Sequence, residues 1–559
     1  MKIINAYLPF ENLSQIIINF SPEVTKEKIE LLKKCAEVKL NATARIKHYH
    51  NQLLFLCTYP ENEAIQLLAQ EEMNRLCEAV ISLNDQNKER LSKTGIAFTE
   101  TQGTFSFAIM KWLATQFPEE ISLHSFDDEG VHPKVIFKYC LNEMEFELIG
   151  DQGLSKLKWL QRASGTKNKQ DNLKWMLSSI EELRLNPLLR EQLFESLKLY
   201  ITINPLNPQF SRSFGTIGQK DLHYHSNGLL KKFNELELIN RKLPPEKKLS
   251  SDQRESILKA ARVSLVLLNR ETDPITYGTA DGIKVFDLEH GLNIALFSIK
   301  PQLRLPIESY IGFMMFKNGY PMSYGGGWLF GKRSLIGINI FEAFRGGESA
   351  FVFAQLLRTY KQAFGAEQFE VEPYQYGKNN PEGLQSGAFW FYHRFGFRPT
   401  DQELFKLAEE EYENKIKSKG YRSPIHILRQ FTKSNLEVNF GKSKILVKPL
   451  QISYFISHLI ALRFKGDRNL AFKWSQTILK AKLGLVYSKL NKEEQYGFIK
   501  LSVFAASCLN LEKLNASDKN TLIKLIKEKG SSEFNYIRTY NQFPFDKYFV
   551  NELLDFVVN

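Results

Sequence analysis

The sequence predicts a mixed α/β domain in the centre of the chain, flanked by two mainly α-helical domains. Apolar residues recur at three- and four-residue spacing before residue 240 and again after residue 400, whereas short β-type runs fill the region between them. A polar stretch at 241–254 is interpreted as a linker. We therefore expect a helical domain at 1–240, an α/β domain at 255–400 and a basic helical domain at 401–559.

Composition limits the class of protein. The chain has 559 residues, a formal net charge of +12 and 43% hydrophobic residues, values typical of several folded domains and unlike those of a disordered chain. The first twenty residues make a poor signal peptide, and no run approaches the ~18–20 uncharged apolar residues of a membrane span. Five scattered cysteines without a C-x-x-C pair argue against a disulfide framework or a thiolate zinc site. These features predict a cytoplasmic protein.

The central region begins with short β-type runs at Val263–Leu268, Gly282–Leu288 and Leu292–Ile299. Three longer runs follow, separated by the turn signals Asn318-Gly319 and Gly331-Lys332, and they are Tyr310–Lys317, Tyr320–Phe330 and Ser334–Phe341. The pattern predicts antiparallel neighbours in one sheet.

A glycine-rich turn and a helix come next. Arg345-Gly346-Gly347-Glu348 precedes an apolar helical run, Ser349–Phe364, and Gly365 fits the position of a helix stop. Phe369–Tyr374 is predicted to be a further strand, and Ser386–Phe395 a short helix that ends at Gly396.

This order of elements resembles the GCN5-related N-acetyltransferase (GNAT) superfamily over about 305–400. The residues that carry the resemblance are the strand and turn at 337–350 and the later run at 388–397, which ends in Gly396-Phe397. The resemblance implies a GNAT-like mixed sheet and transfer of an acetyl or other acyl group from acyl-CoA to an amine by direct attack. It also implies a set of cofactor-binding residues: Phe344, Arg345, Gly346, Gly347, Glu348, Ser349 and Ala350.

The turn has a physical reason to bind acyl-CoA. A helix N-terminus offers unpaired backbone N–H groups to a pyrophosphate, and glycines allow close approach of the backbone. Glu348 departs from the family pattern, because it stands where the central glycine is expected and a carboxylate would repel the pyrophosphate unless it points away. Binding of acyl-CoA requires accessible backbone amides around Gly346 and Gly347. It also requires a gap for the pantetheine arm between the family's fourth and fifth strands, which correspond here to Ser334–Phe341 and Phe369–Tyr374.

Candidate catalytic residues follow from the same resemblance. Tyr392 lies four residues before Gly396 and matches the tyrosine that protonates the departing CoA thiolate in relatives. Glu342 and Glu372 are candidate bases for the attacking amine, with Glu370 in reserve. The alternatives are an aromatic packed beneath the sheet for Tyr392 and ordinary solvent-facing or salt-bridged carboxylates for the glutamates.

Further residues are candidates for substrate binding, namely Tyr324, Tyr374, Gln375, Asn379 and Asn380. Tyr324 begins the unusual run Tyr324-Gly325-Gly326-Gly327-Trp328 within a predicted strand. Three glycines favour either a ligand lying against bare backbone or tight packing against a neighbouring element, and the sequence leaves both open.

Two other features concern metals and partners. The pairs His48/His50 and His223/His225 lack accompanying carboxylates at ligand spacing, so no metal is expected. Between Tyr421 and Leu490, thirteen Lys or Arg residues face only two acidic residues. Lysines on the polar faces of ordinary helices explain this excess, and docking of a polyanion, tRNA or an acyl carrier protein, is the alternative.

Three functions stay open from the sequence. The first is an N-acyltransferase that uses acetyl-CoA or another acyl-CoA and acts on a small-molecule or protein amine. The second is a catalytically silent GNAT-like binding or scaffold module. The third is a tRNA-dependent aminoacyl transferase of related fold, which Glu348 and the basic segment at 421–490 favour.

Overall fold

The computed structural model describes residues 8–149, 153–219, 221–418, 420–441 and 447–558. It is a mixed α/β structure with one large mixed sheet and many helices. In the part of the chain described, no helix is both long enough and apolar enough to cross a membrane.

The N-terminal region starts with a helical bundle. Its helices are α1 (Leu8–Ile16), α2 (Pro22–Ala36), α3 (Thr43–Thr58), α4 (Glu63–Ile81) and α5 (Asp85–Arg90). The side chain of Ser21 caps α2 and that of Asn62 caps α4, each by accepting a backbone N–H.

A small sheet follows within the half of the chain expected to be helical. Its strands are β1 (Thr101–Gly103), β2 (Ile121–Phe126) and β3 (Leu199–Ile203), in the order β1-β3-β2 and antiparallel throughout. The helices around it are α6 (Phe107–Gln116), α7 (Lys134–Phe137), α8 (Glu143–Ile149), α9 (Lys156–Ala163), α10 (Lys169–Glu182) and α11 (Pro187–Ser196). These elements enclose a hydrophobic core of their own. Strands of three to six residues give too few alternations to be recognised in the sequence.

The large sheet dominates the centre. After α12 (Glu235–Asn240), α13 (Ser251–Val266) and α14 (Asp273–Thr276), its strands are β4 (Gly278–Asp287), β5 (Leu292–Ile299), β6 (Ser309–Lys317), β7 (Tyr320–Phe330), β8 (Arg333–Ile340), β9 (Gln368–Val371), β10 (Arg398–Pro399) and β11 (Leu436–Asn439). The strand order is β10-β11-β9-β8-β7-β6-β5-β4. Every neighbouring pair is antiparallel except β8 and β9, which run parallel.

Helix α15 (Ser349–Phe364) connects the two parallel strands and has the bounds predicted from the sequence. It ends at Gly365, which has a φ of 71° and so adopts the left-handed conformation that glycine tolerates. Asn318 and Gly319 also have positive φ values, 48° and 84°, in the tight turn between β6 and β7. The predicted hairpins are therefore present.

Two expectations need correction. The predicted strand at Val263–Leu268 is wrong, because residues 263–266 form the last turn of α13. That helix starts with a capping box in which Ser250 and Gln253 satisfy each other's backbone N–H groups. The predicted helix at Ser386–Phe395 is present but shorter, as α17 (Ala388–Arg394). A further short helix, α16 (Pro381–Gln385), precedes it, and Gly387 with a φ of 67° lies between the two.

The predicted boundaries do not coincide with structural breaks. Residues 241–250 are hydrogen-bonded to the central region: the Lys247 N–H donates to the Val285 carbonyl of β4, and the Arg358 side chain of α15 donates to the carbonyls of Arg241 and Lys242. Strand β11 lies beyond residue 400, yet it is inserted between β9 and β10. The sheet thus joins the central and C-terminal regions.

The remaining C-terminal elements are helical. They are α18 (Gln402–Lys417), α19 (Ile425–Phe431), α20 (Pro449–Phe464), α21 (Arg468–Leu483), α22 (Lys492–Cys508), α23 (Ala516–Ser531), α24 (Glu533–Gln542), α25 (Phe545–Tyr548) and α26 (Asn551–Val558). The Tyr536 hydroxyl donates to the Ile307 carbonyl at 2.6 Å, which connects this helical region to the segment just before β6.

Candidate functional site

The glycine-rich turn after β8 is covered on one side by the N-terminal bundle. Tyr59, at the end of α3, is fully buried, and a Cβ atom at Gly347 would lie 2.6 Å from the tyrosine ring and hydroxyl. The N–H of Gly347 donates to the Phe344 carbonyl at 3.0 Å within the turn. Gly346 is exposed, and a Cβ there would contact only Ile18, at 3.5 Å. Gly347 is therefore half-buried, with Tyr59 on one side, and Gly346 is open.

Glu348 points away from the turn into the protein interior. It is only 2% exposed, and its carboxylate accepts hydrogen bonds from the Leu230 N–H at 2.8 Å and the Lys317 ammonium at 2.6 Å. His225 Nδ1 lies 3.7 Å from the same carboxylate. Burial lowers the pKa of Lys317, although the nearby carboxylate opposes that shift. Glu348 is thus neutralised by the protein and cannot face a ligand at the turn in this arrangement.

The other residues of the turn have structural partners as well. The Arg345 guanidinium donates to the Ile340 carbonyl at 3.2 Å and forms an ion pair with Glu382 on α16. Ser349 donates its hydroxyl to the Arg345 carbonyl at 3.2 Å. Phe344 is buried, Ala350 is half-buried, and Glu342 is exposed at the end of β8.

A gap opens between β8 and β9, which correspond to the predicted strands at Ser334–Phe341 and Phe369–Tyr374. The two strands pair at only three positions, which end at Leu335 opposite Glu370. Beyond Leu335, β8 continues to Ile340 beside β7 alone, whereas β9 ends at Val371. The backbone N–H groups on this free edge of β8 therefore need other partners.

Gln375 fills this gap with its side-chain amide. Its Oε1 accepts hydrogen bonds from the Ile338 N–H at 3.3 Å and from the Tyr392 hydroxyl at 3.4 Å. Its Nε2 lies 3.0 Å from the position that a Cβ would take at Gly337. A residue expected to bind substrate is thus bound to the sheet itself.

Tyr392 is placed by aromatic packing. It is buried on α17, where its ring packs against Phe353 at a centroid distance of 5.4 Å and against Phe397 at 5.9 Å. Burial raises the pKa of its hydroxyl well above the ordinary value. A protonated phenol that donates into the gap is compatible with both the packing role and the acid role considered from the sequence.

The candidate bases differ in environment. Glu372 is exposed, and no hydrogen bond or ion pair of its side chain is seen within the described residues. Glu370 forms a double hydrogen bond with Arg333, at 2.6 and 2.7 Å. Burial alone would raise the pKa of Glu370, but the hydrogen bonds and charge of Arg333 hold it below the ordinary value.

The remaining substrate candidates lie in two places. Tyr324 is buried in β7, and its hydroxyl accepts a hydrogen bond from Arg270 at 2.6 Å. Asn380 caps α16 and donates to the Tyr374 carbonyl, and Asn379 sits in the same turn with a φ of 55°. The ring of Tyr374 is exposed.

The three glycines after Tyr324 accommodate the protein's own groups. A Cβ would lie 2.1 Å from the Gly337 carbonyl at Gly325, 2.5 Å from the Tyr310 ring at Gly326 and 2.5 Å from the Tyr360 ring at Gly327. Of the two readings left open by the sequence, this geometry is that of tight packing.

A cavity that the sequence did not reveal lies on the face of the sheet beside the gap. Its volume is about 280 Å³, and it is lined by Glu308, Trp328, Arg333, Leu335, Glu372, Lys448, Pro449 and Leu450. The ring of Trp328 stacks on Tyr310 at a centroid distance of 4.0 Å. Three separate parts of the chain contribute, so only the unusual Gly-Gly-Gly-Trp run could have drawn attention to it.

Histidines of the two pairs considered as metal ligands form hydrogen bonds with other side chains. His50 is hydrogen-bonded to Ser213 at 2.9 Å, and His223 to His290 at 3.2 Å. Among the residues that the structure describes, no group of three or more His, Cys, Asp or Glu side chains could hold a metal ion.

The comparisons with known proteins give no further assignment. Neither models of protein families, nor curated proteins, nor solved structures yielded a match to this chain.

Proposed function

We propose that this chain is a binding protein whose GNAT-like central sheet holds a small organic amine and does not use acyl-CoA. The observation that carries the proposal is that Gln375 fills the gap between β8 and β9, whereas the cavity beside that gap is open.

The arrangement of the sheet supports its GNAT-like character. Helix α15 connects the single parallel pair of strands among the described residues, and the pairing of those strands stops after three positions. A glycine-containing turn precedes the helix, and α17 ends before Gly396-Phe397. Each of these features is one that the resemblance implies.

Two groups of the protein lie where acyl-CoA would have to bind. A pyrophosphate needs free amides at the helix mouth, but Tyr59 covers Gly347. An acyl carbonyl would need the Ile338 N–H, which already donates to Gln375. Binding of acyl-CoA would therefore require displacement of Gln375, and it would find only the Gly346 side of the turn open.

The open cavity has the chemistry of an amine site. Glu308 is half-buried, and its carboxylate forms no hydrogen bond or ion pair with a described residue. Burial raises the pKa of Glu308, and the charges of Arg333 and Lys529 oppose this shift. A half-buried carboxylate without a hydrogen-bond partner is costly, and hydrogen bonds from a bound ammonium would reduce that cost. Trp328 offers an aromatic surface to the same cation.

The experiment compares two ligand classes on the intact chain. Thermal denaturation and calorimetric titration are carried out with 1,4-diaminobutane or phenethylamine, and separately with acetyl-CoA. A ligand at about 100 times its Kd should add ~2.7 kcal/mol of stability. We expect stabilisation by an amine and none by acetyl-CoA. Stabilisation by acetyl-CoA, or by neither amine, would overturn the proposal.

Two variants test whether the amine binds in the cavity beside Glu308. Glu308→Gln should weaken amine binding about tenfold or more, because it removes the buried charge that the ammonium would face. Glu403→Gln, at an exposed position on α18, is the control and should bind as the unaltered protein does. Equal weakening by both variants would exclude the cavity as the site.

A second candidate is the N-acyltransferase itself. It is favoured by the convergence of the Ile338 N–H and the Tyr392 hydroxyl on one oxygen, because such a pair could polarise a thioester carbonyl and protonate a thiolate. Release of free CoA from acetyl-CoA in the presence of an amine would support it. Gln375→Ala, which opens the gap, should then increase the release and Tyr392→Phe should reduce it.

A further inference from the structure

Helix α20 is apolar around most of its circumference and yet exposes one side. Only one of its sixteen residues is charged, a composition typical of a helix covered on all sides. Ile452 and Leu459 pack into the protein. Leu450, Tyr454 and Leu462 are nevertheless 61%, 60% and 70% exposed. A large apolar surface of this kind marks an interaction site.

Basic side chains stand at both ends of this helix. Lys448 precedes it, and Arg463, Lys465 and Arg468 lie at its end and in the turn that follows. All four are exposed, and none forms an ion pair with a described residue. We define the basic apolar face as Leu450, Tyr454 and Leu462 together with these four cations.

A surface of opposite charge lies in the N-terminal half. Helix α8 has the sequence EMEFELI, with three glutamates and no basic residue. Met144 on this helix is 72% exposed, and the nearby Tyr139 is 66% exposed. The Lys138 ammonium lies over the Tyr139 ring, 5.2 Å from its centroid. We define the acidic apolar face as Tyr139, Glu143, Met144 and Glu147.

The basic apolar face and the acidic apolar face are complementary in apolar character and in charge. Each exposes large apolar side chains, whose burial against one another would be favourable. Their charges have opposite sign, which favours pairing of unlike faces and disfavours pairing of like faces. A polyanionic nucleic acid would match the cations but would leave Leu450 and Leu462 without an apolar partner. Charge and apolar character together therefore favour a protein surface.

We propose that the basic apolar face of one copy of this chain docks on the acidic apolar face of a second copy. A two-fold axis makes the contact reciprocal, so that both faces of both copies are covered and the assembly closes as a dimer. This inference is argued separately from the amine site and from acyl-CoA, since it rests on the exposed side chains of α20 and α8. Lys448 and Leu450 also line the cavity, so the charge reversals below are made at other residues.

The test measures the oligomeric state of the full chain by sedimentation and light scattering. We expect a concentration-dependent dimer at low ionic strength that weakens as salt is added. Reversal of charge on one face, either Glu143→Lys with Glu147→Lys or Lys465→Glu with Arg468→Glu, should raise the dimer Kd at least about tenfold. Both reversals on one chain should restore the dimer.

Two further variants separate the contact from general charge effects. Glu71→Lys with Glu78→Lys makes the same change in net charge at exposed positions of α4 and should leave the dimer unchanged. Tyr454→Ser should weaken the dimer without any change in charge.

Three outcomes would overturn the proposal. They are a monomer at every concentration, a dimer that resists both reversals, and failure of the combined reversal to restore association. A monomer that binds tRNA through Lys465 and Arg468 would assign the basic face to a polyanion instead.

Discussion

The Lys317 ammonium lies 2.6 Å from the Glu348 carboxylate, and both side chains are 1% exposed. Lys317 ends β6 and Glu348 precedes α15, so the pair ties the middle of the large sheet to the start of the helix. Glu348 at the start of α15 therefore has a structural partner, and its charge is directed inward.

Loss of this pair should destabilise the protein strongly. Lys317→Met leaves a buried carboxylate without its cation, a change that costs about 3–5 kcal/mol. Urea unfolding at neutral pH measures the loss. Lys332→Met is the control, because its ion pair with Glu367 lies at the surface and contributes less than about 1 kcal/mol. Equal effects of the two variants would contradict the structural role of Lys317.

Gly347→Ala should test directly whether Tyr59 covers one side of the glycine-rich turn. The added Cβ would lie 2.6 Å from buried Tyr59, and such overpacking costs about 1–3 kcal/mol. Gly346→Ala is the matched control, since its Cβ would meet only Ile18 at 3.5 Å. The comparison is made by thermal and urea unfolding. If Gly347→Ala is as stable as the control, Tyr59 does not cover the turn in solution.

Asn318 should be a point of attachment between the N-terminal bundle and the sheet. Its side chain donates to the carbonyls of Thr58 and His223 and accepts the His223 N–H. Asn318→Ala should cost about 2–4 kcal/mol, because three hydrogen bonds are lost at a buried position. Asn379→Ala has a similar positive φ at an exposed position, so it separates backbone strain from the lost hydrogen bonds. If the two variants lose the same free energy of unfolding, only the backbone strain at positive φ contributes and the three hydrogen bonds do not.

The stability of the protein should fall in mild acid. Burial, helped by the charge of Lys317, lowers the pKa of His225 from 6.5 to about 2. The unfolded chain therefore binds a proton at His225 below about pH 6.5 that the folded chain does not, and stability decreases by about 1.4 kcal/mol per pH unit in that window.

His225→Leu removes this one proton from the linkage. The slope of unfolding free energy against pH, measured by urea unfolding between pH 7 and 5, should become smaller, while other buried histidines such as His50 keep part of it. His458→Leu, at an exposed position, should leave the slope unchanged. An unchanged slope in His225→Leu would mean that this side chain becomes protonated without unfolding.

Local signals explain which elements the sequence could predict. Helix α15 has sixteen residues, a strong apolar period and a glycine stop, so its bounds were predicted correctly. The turns at Asn318-Gly319 and Gly331-Lys332 need positive φ values that few residues tolerate. The short strands β1, β3 and β11 lack such signals and form because longer-range neighbours pair with them.

The sequence by itself determined the hairpins of the sheet, the glycine-rich turn and the helix after it, because spacing and turn residues act locally. Only the tertiary structure decided what those parts can do. Tyr59 follows a helix that lies nearly three hundred residues before the turn it covers. The cavity is lined in part by Leu450, which belongs to the C-terminal region. Whether a backbone amide is free to bind a ligand depends on such distant side chains, which no local pattern specifies.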